Sequence, residues 1–182
     1  MTMLSDKLTL RLPGPDEAEE LWRAYRAIDP TESIRILMYY EEGMPFARYL
    51  QILDEQRCGI NLPQGFVPST FLFAFVGDRI VGRVSIRHEL NEALARLGGH
   101  IGYIVLPAFR RRGYATEILR KAIAIARADL GIERLLVTCD DDNIGSMKVI
   151  EKNGGQLEST IENPKAGVPK RRYWIESTGR TE

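Results

Sequence analysis

Three consecutive arginines before a glycine are the residues in this chain whose types and spacing most clearly indicate chemistry. Arg110, Arg111, Arg112 and Gly113 lie in the stretch IVLPAFRRRGYATEIL, between an apolar run and a helical pattern. Free N–H groups at a helix N-terminus favour an anion, and arginine binds phosphate through paired donors. Glycine lets a ligand approach the backbone. The stretch matches neither the P-loop nor the dinucleotide glycine motif. It therefore predicts either a pyrophosphate-binding turn or a basic surface patch.

The elements on either side of this turn would position it at the edge of a sheet. HIGYIVL at 100–106 is apolar on both faces, which predicts a central strand. An amphipathic helix is predicted over 114–129, a strand over 133–139, and a second helix from DDDNIGS to about Asn153. A strand, a helix and a further strand in this order predict one parallel crossover near the middle of the sheet.

The rest of the pattern completes an α/β mixed sheet in a single domain spanning 1–182. LTLRL at 8–12 predicts a strand, and Asp16 is predicted to cap a helix that runs to Ala27. Residues 31–57 are predicted to be helical as well, with breaks near Gly43 and Pro45. Strands are also predicted over 71–76 and 79–90, and a hairpin turn at Gly77-Asp78 joins them. Two more strands are predicted over 156–160 and 170–177, and 57–69 is predicted to be a loop.

HIGYIVLPAFRRRGYATEIL followed by ERLLVTCDDDNIGSMKVIEKNGG resembles the GNAT superfamily of N-acetyltransferases. It is most similar to the ribosomal-protein N-terminal acetyltransferase branch and to an uncharacterised bacterial subgroup with RHELNE and GGHIGY stretches. The resemblance implies the acyl-CoA N-acyltransferase fold, with six to seven strands flanked by helices. It also implies acetyl-CoA as co-substrate, no metal, and a primary amine of a small molecule or peptide as acceptor.

The resemblance also implies where acetyl-CoA would bind. The implied contacts are main-chain groups of one strand, the arginine turn with the start of its helix, and two polar residues of the next helix. They are Ile104, Val105 and Leu106; Arg110, Arg111, Arg112, Gly113, Tyr114, Ala115 and Thr116; and Asn143 and Ser146. The alternatives are that the strand residues serve only as core and that Asn143 only caps its helix.

The catalytic residues are less clearly indicated. His100 stands where related enzymes often carry a glutamate, so it is either the general base or a structural histidine closing the Gly-Gly turn. Glu89 is a second candidate base, with His88 beside it. Ile150 replaces the tyrosine that many related enzymes carry, which leaves Tyr173 as a candidate acid. Cys139 precedes three aspartates, which would raise its pKa and oppose a covalent acyl-enzyme.

The composition of the chain excludes some other classes of function. The net formal charge is 0, and apolar runs are too short for a membrane span, so we expect neither nucleic acid nor membrane as partner. Two separated cysteines and no apolar leader predict a cytoplasmic protein. A non-catalytic CoA-binding sensor is the alternative function, and pairing of edge strands would allow a homodimer.

Overall fold

The computed structural model describes residues 7–29 and 35–176. Within these residues, seven strands form one mixed sheet that four α-helices cover. The elements in chain order are β1 (Thr9–Arg11), α1 (Ala18–Arg26), α2 (Phe46–Cys58), β2 (Ser69–Val76), β3 (Arg79–Arg87), β4 (Ile101–Val105), α3 (Tyr114–Ala128), β5 (Arg134–Asp140), α4 (Ile144–Lys152), β6 (Gln156–Ile161) and β7 (Lys170–Glu176).

The sheet order is β1-β2-β3-β4-β5-β7-β6, and β4 with β5 is the parallel pair. All other neighbours run antiparallel. The predicted hairpin joins β2 to β3, and Gly77 in its turn adopts a φ of 60°, which a side chain would disfavour. The mixed α/β sheet and its one parallel crossover are confirmed.

The two central strands separate soon after they meet. β4 and β5 share one registered pair, Ile101 with Val137, whereas the antiparallel pairs β3 with β4 and β5 with β7 run in register along most of their length. Past Ile101, the side of β4 that faces β5 has no strand partner among the described residues. A gap therefore opens in the middle of the sheet toward the end of β4.

Each face of the sheet has its own core, as alternating side chains require. On one face, Val84, Ile86 and Ile101 pack with the buried stripe of α3, which includes Ile118 and Leu119. On the other face, the aromatic residues of β2 pack with α1, α2 and the segment before α2; the buried members include Leu21, Ile36, Tyr49, Phe71 and Phe73. The apolar stripe predicted for α3 is thus the buried one.

The segment before α2 differs from the prediction. Residues 31–34 lie outside the described part of the chain, 35–45 form bends and turns, and the helix begins only at Phe46. Tyr39 and Gly43 both adopt left-handed φ values, 64° and 83°, which a right-handed helix cannot contain. Burial of Ile36 in the core holds this irregular path in place.

Two smaller boundaries also differ. Asp16 does not cap α1: the N-cap residue is Glu17, whose carboxylate accepts hydrogen bonds from the Gly14 N–H and the Arg11 guanidinium. The last strand is described to Glu176, and its predicted final residue, 177, lies outside the described residues.

Candidate active site

A groove of about 620 Å³ lies where β4 ends, between the N-terminus of α3 and the start of α4. Ten of the twelve residues for which the resemblance implied acetyl-CoA contacts line it: Ile104, Val105, Arg110, Arg111, Gly113, Tyr114, Ala115, Thr116, Asn143 and Ser146. The other two do not. Leu106 is buried in the core on the α1 and α2 face, and Arg112 points to solvent beside the Phe109 ring.

The first turn of α3 is uncapped, which leaves it open to an anion. Its N-cap residue is Gly113 at a φ of 84°, and no described side chain caps the helix. Glu117 is the first residue whose N–H bonds back, to the carbonyl of Gly113. The N–H groups of 114–116 therefore have no acceptor within the helix, and they carry the positive end of its dipole.

The three arginines take different positions around this turn. Arg111 is exposed and, with a φ of 61°, adopts a left-handed conformation that is uncommon for a residue with a side chain. Arg110 donates from Nε to the carbonyl of Val105 at 3.2 Å, so part of its guanidinium braces the end of β4. A left-handed residue just before a helix start turns successive N–H groups toward one side, as in known anion-binding turns.

The opposite wall of the groove is the start of α4, which is capped. The Asn143 side-chain oxygen accepts a hydrogen bond from the Ser146 N–H at 3.0 Å. Asn143 therefore caps α4. Asn143 also lines the groove, and its amide N–H₂ group is a further hydrogen-bond donor of this residue.

One buried polar group in the groove was not predicted as functional. Tyr103 lies on β4, and its hydroxyl is buried without a hydrogen-bond partner of good geometry among the described residues. Burial raises the pKa of Tyr103 to about 12, although the nearby Ser146 acts to lower it. A buried hydroxyl without a partner costs folding free energy, which in a ligand groove indicates a position that a ligand would satisfy.

His100 has the environment of a structural residue. It is buried, and its Nδ1 accepts from the Leu136 N–H at 2.9 Å while the backbone N–H of His100 donates to the Leu136 carbonyl at 2.7 Å. Burial, with a contribution from the charge of Arg87, lowers the pKa of His100 to about 4. A neutral imidazole whose acceptor nitrogen is already bonded is a weak base. His100 links the start of β4 to β5, at the end of the gap where the two strands still pair.

The other predicted catalytic residues also lie away from the groove. Glu89 is exposed beyond the end of β3, and its neighbour His88 is hydrogen-bonded through Nε2 to the Thr70 hydroxyl at 2.8 Å. Tyr173 is buried in the core on the α3 face, with its hydroxyl donating to Glu151 at 3.3 Å. Neither Glu89 nor Tyr173 is among the residues that line the groove.

Cys139 is also unsuited to nucleophilic catalysis. It is buried, and its pKa is raised to about 11. The main cause is burial rather than the aspartates that follow it, because Asp140 is paired with Lys170 at 2.7 Å and Asp141 is paired with Arg171.

No group of three or more His, Cys, Asp and Glu side chains is placed to hold a metal ion within 7–29 and 35–176. None of the helices in these ranges has the length and apolar character needed to cross a bilayer.

Comparison with known proteins places this geometry in a family. The profile of the acetyltransferase (GNAT) domain matches residues 7–156. Among curated proteins of Bacillus subtilis (strain 168), the probable N-acetyltransferase YjcK is 32% identical over 87 residues, which cover 48% of this chain and 47% of YjcK. The N-acetyltransferase YnaD is 28% identical over 74 residues, which cover 41% of this chain and 42% of YnaD. The matches thus span less than half the length of these relatives.

Solved structures share the whole fold. The yncA protein of Salmonella typhimurium, solved with acetyl-CoA, has a TM-score of 0.61 at 12% identity and covers 96% of each chain. The ribosomal alpha-N-protein acetyltransferase RimL, solved with coenzyme A, has a TM-score of 0.62 at 18% identity, covering 96% of this chain and 97% of RimL.

Proposed function

This chain belongs to the GNAT acetyltransferase family, and on that premise we propose that it transfers an acetyl group from acetyl-CoA to a primary amine. The observation that carries the proposal is the groove itself. It joins an uncapped helix N-terminus beside arginines to a strand edge without a partner among the described residues, and Tyr103, whose buried hydroxyl makes no hydrogen bond of good geometry, lines it too.

The groove has the donors that the two ends of acetyl-CoA require. The pyrophosphate would lie on the N–H groups of 114–116, with Arg111 beside them, because both the helix dipole and the guanidinium favour negative charge. The pantetheine arm, which has amide groups of its own, would follow the unpaired edge of β4 at Ile104 and Val105 and face Asn143 and Ser146 across the gap.

Acetyl-CoA supplies the acetyl group as a thioester: a C–N bond forms as the C–S bond breaks, the amine loses a proton and the sulfur gains one. Backbone N–H groups of β4 that face the gap can polarise the thioester oxygen without any side chain. The apolar walls formed by Phe109 and Val149 limit the access of water, which would otherwise compete with the amine.

No described residue lining the groove is a carboxylate or a histidine. The charged side chains there are Arg110, Arg111 and Lys152, which do not act as bases at neutral pH. We therefore propose that the acceptor enters as the neutral amine or loses its proton to water, with His100 in a structural role. In this mechanism the pH dependence of kcat/KM follows the ionisation of the acceptor amine.

The Tyr103 hydroxyl is the group best placed to assist the departing sulfur. Its raised pKa keeps it protonated throughout the range of an assay, so it is always a donor. It lies in the groove near Ser146, whose side chain interacts with it, but it makes no hydrogen bond of good geometry with a described residue. A hydrogen bond to the developing thiolate would lower the barrier to C–S cleavage.

Thermal unfolding with and without saturating acetyl-CoA tests donor binding. A ligand at about 100 times its Kd stabilises the folded state by roughly 2.7 kcal/mol, which is about 5–10 °C for a chain of this size. No shift would contradict both catalysis and simple CoA binding. Release of free CoA thiol on addition of an amine panel then separates an enzyme from a sensor: a shift without any thiol release would favour the non-catalytic alternative.

A further inference from the structure

A second pocket, which we call the arginine pocket, lies on the sheet face that carries α1 and α2. Its volume is about 280 Å³, near the lower end of the range for small-molecule sites. Its walls include the aromatic residues Tyr39, Phe66 and Phe71 and the polar residues Ser85 and Arg87 of β3. Apolar walls around a few polar groups are typical of a ligand site.

Arg87 and its neighbour Arg83 differ from the other half-buried arginines that the structure describes. Nine arginines form ion pairs with carboxylates: Arg11, Arg23, Arg48, Arg57, Arg79, Arg120, Arg134, Arg171 and Arg172. Arg83 and Arg87 are half-buried, yet no carboxylate within 7–29 and 35–176 pairs with either. Burial lowers the pKa of Arg83 to about 10 and also lowers that of Arg87. A half-buried cation without an anion is costly, so Arg87 gives the pocket wall an uncompensated positive charge, and Arg83 lies four residues earlier on the same strand.

Arg87 also keeps unused hydrogen-bond donors. Its Nη1 donates to the carbonyls of Gly98 and Gly99 at 3.3 and 3.1 Å, which fixes the direction of the guanidinium. No described group accepts from its Nε or Nη2, although a guanidinium has five N–H donors in one plane. These donors form the planar fork that matches a carboxylate.

The guanidinium of Arg87 lies over β4, the strand that leads into the acetyl-CoA groove. A Cβ placed on Gly102 would lie 3.8 Å from both Nη1 and Nη2 of Arg87, so the guanidinium covers this glycine. Gly102 is two residues before Ile104, which lines the acetyl-CoA groove, and the two residues share one face of β4. Two residues of a strand span ~6.6 Å. A separation of that size between Gly102, beneath the Arg87 guanidinium, and Ile104 suits a molecule whose amine and acidic group are only a few bonds apart.

Building on the proposed function, we propose that the arginine pocket binds the carboxylate of a small, amino-acid-sized acceptor and directs its amine along β4 toward Ile104. The aromatic walls would hold the rest of the acceptor. Arg83, whose charge the carboxylate of the acceptor would leave unpaired, also lowers the pKa of a bound amine, because like charges disfavour its protonated form. The pocket would thus supply what the groove lacks: a way to hold the amine neutral without a base.

The experiment compares L-amino acids with their carboxamides, which keep the amine and the shape but lose the negative charge. Acetylation is followed by CoA thiol release, and binding of each compound alone by calorimetry. A hydrogen bond to a charged group is worth about 10- to 100-fold in affinity, so we expect a preference of that size for the acids after correction for amine ionisation. Arg87→Gln should abolish this preference, and Arg87→Lys should restore only part of it.

Two further variants control for folding. Gly102→Ala adds a methyl between Arg87 and Ile104 at ordinary contact distances, so it should fold and lose activity with the acids. Arg79→Gln changes an exposed arginine on the same strand and should leave the preference unchanged.

Equal or faster acetylation of the carboxamides by the wild type would overturn the inference, as would a peptide amide that outcompetes the free amino acid with the same first residue. If no amine is acetylated, the proposed function fails separately. Calorimetry then decides for the pocket alone: binding of acids but not of carboxamides, lost in Arg87→Gln, supports it, and no binding of either contradicts it.

Discussion

Replacing Tyr103 with phenylalanine should change stability and activity in opposite directions. The Tyr103 hydroxyl is buried and makes no hydrogen bond of good geometry with a described residue, so its interaction with Ser146 offsets little of the desolvation that the folded state bears. An unsatisfied buried hydroxyl costs about 1–3 kcal/mol, and Tyr103→Phe removes it without opening a cavity larger than one oxygen atom. At about 2–4 °C per kcal/mol for a chain of this size, the unliganded variant should melt at least ~2 °C above the wild type.

The same Tyr103→Phe change should lower kcat. If the hydroxyl donates to the departing sulfur, its loss removes a stabilising interaction made mainly in the transition state, worth about 10²- to 10³-fold in kcat. KM for acetyl-CoA should change little, because the groove contacts at the turn and at α4 remain. Initial rates of thiol release and a thermal scan without ligand measure the two effects on the same preparation.

Tyr25→Phe is the matched control, since Tyr25 is an exposed residue of α1 far from the groove. It should alter neither quantity. An unchanged kcat in Tyr103→Phe would remove the proton-donor role. A lower melting temperature with normal kcat would mean that the hydroxyl is satisfied in the folded protein, and the reasoning from its burial would be wrong.

Three further predictions concern the turn, the closed end of the gap and the thiols. Gly113→Ala places a side chain at a φ of 84° with open space around it, so it should cost roughly 1–2 kcal/mol of stability through backbone strain and weaken CoA binding in calorimetry. For His100, the folded pKa of about 4 lies below the usual 6.5, so its contribution to stability is complete above pH 6.5 and is lost as pH falls toward 4. His100→Asn, which can still accept from the Leu136 N–H, should flatten denaturation midpoints across that window; an unchanged slope would contradict the assignment. With a thiol reagent at pH 8, exposed Cys58 should react at once and buried Cys139 only after unfolding, and equal rates would refute the raised pKa of Cys139.

Local patterns were enough to predict most of the framework. Alternation, the turn at Gly77-Asp78 and the stripe of α3 depend on residues near one another in sequence, and these elements appear where expected. The prediction of helix for the segment before α2 was wrong, because the left-handed backbone at Tyr39 and Gly43 overrides helix propensity. The burial of Ile36, which supports this irregular path, depends on residues far away in the sequence.

The residues of the candidate site also fall into those that local sequence predicted and those that it did not. The arginine turn could be predicted because its function follows from local backbone geometry. Tyr103 and Arg87 could not, because the role of a polar residue on a strand depends on what covers its face. Nothing near either residue in sequence shows that one hydroxyl lacks a partner or that one guanidinium lacks a carboxylate. His100 was ambiguous for the same reason, since Leu136, its partner, is far along the chain.

The single registered pair between β4 and β5 has a consequence for the cooperativity of the whole domain. The sheet consists of two blocks, β1 to β4 and β5 with β7 and β6, pinned at one end by the mutual hydrogen bonds of His100 and Leu136 and by the Thr138 hydroxyl donating to the Leu97 carbonyl. A molecule in the gap would bridge the blocks as a removable crosslink. Amide hydrogen exchange in β5 and β7 should therefore slow on CoA binding even at residues that never touch it, because the second block could then open only together with the first.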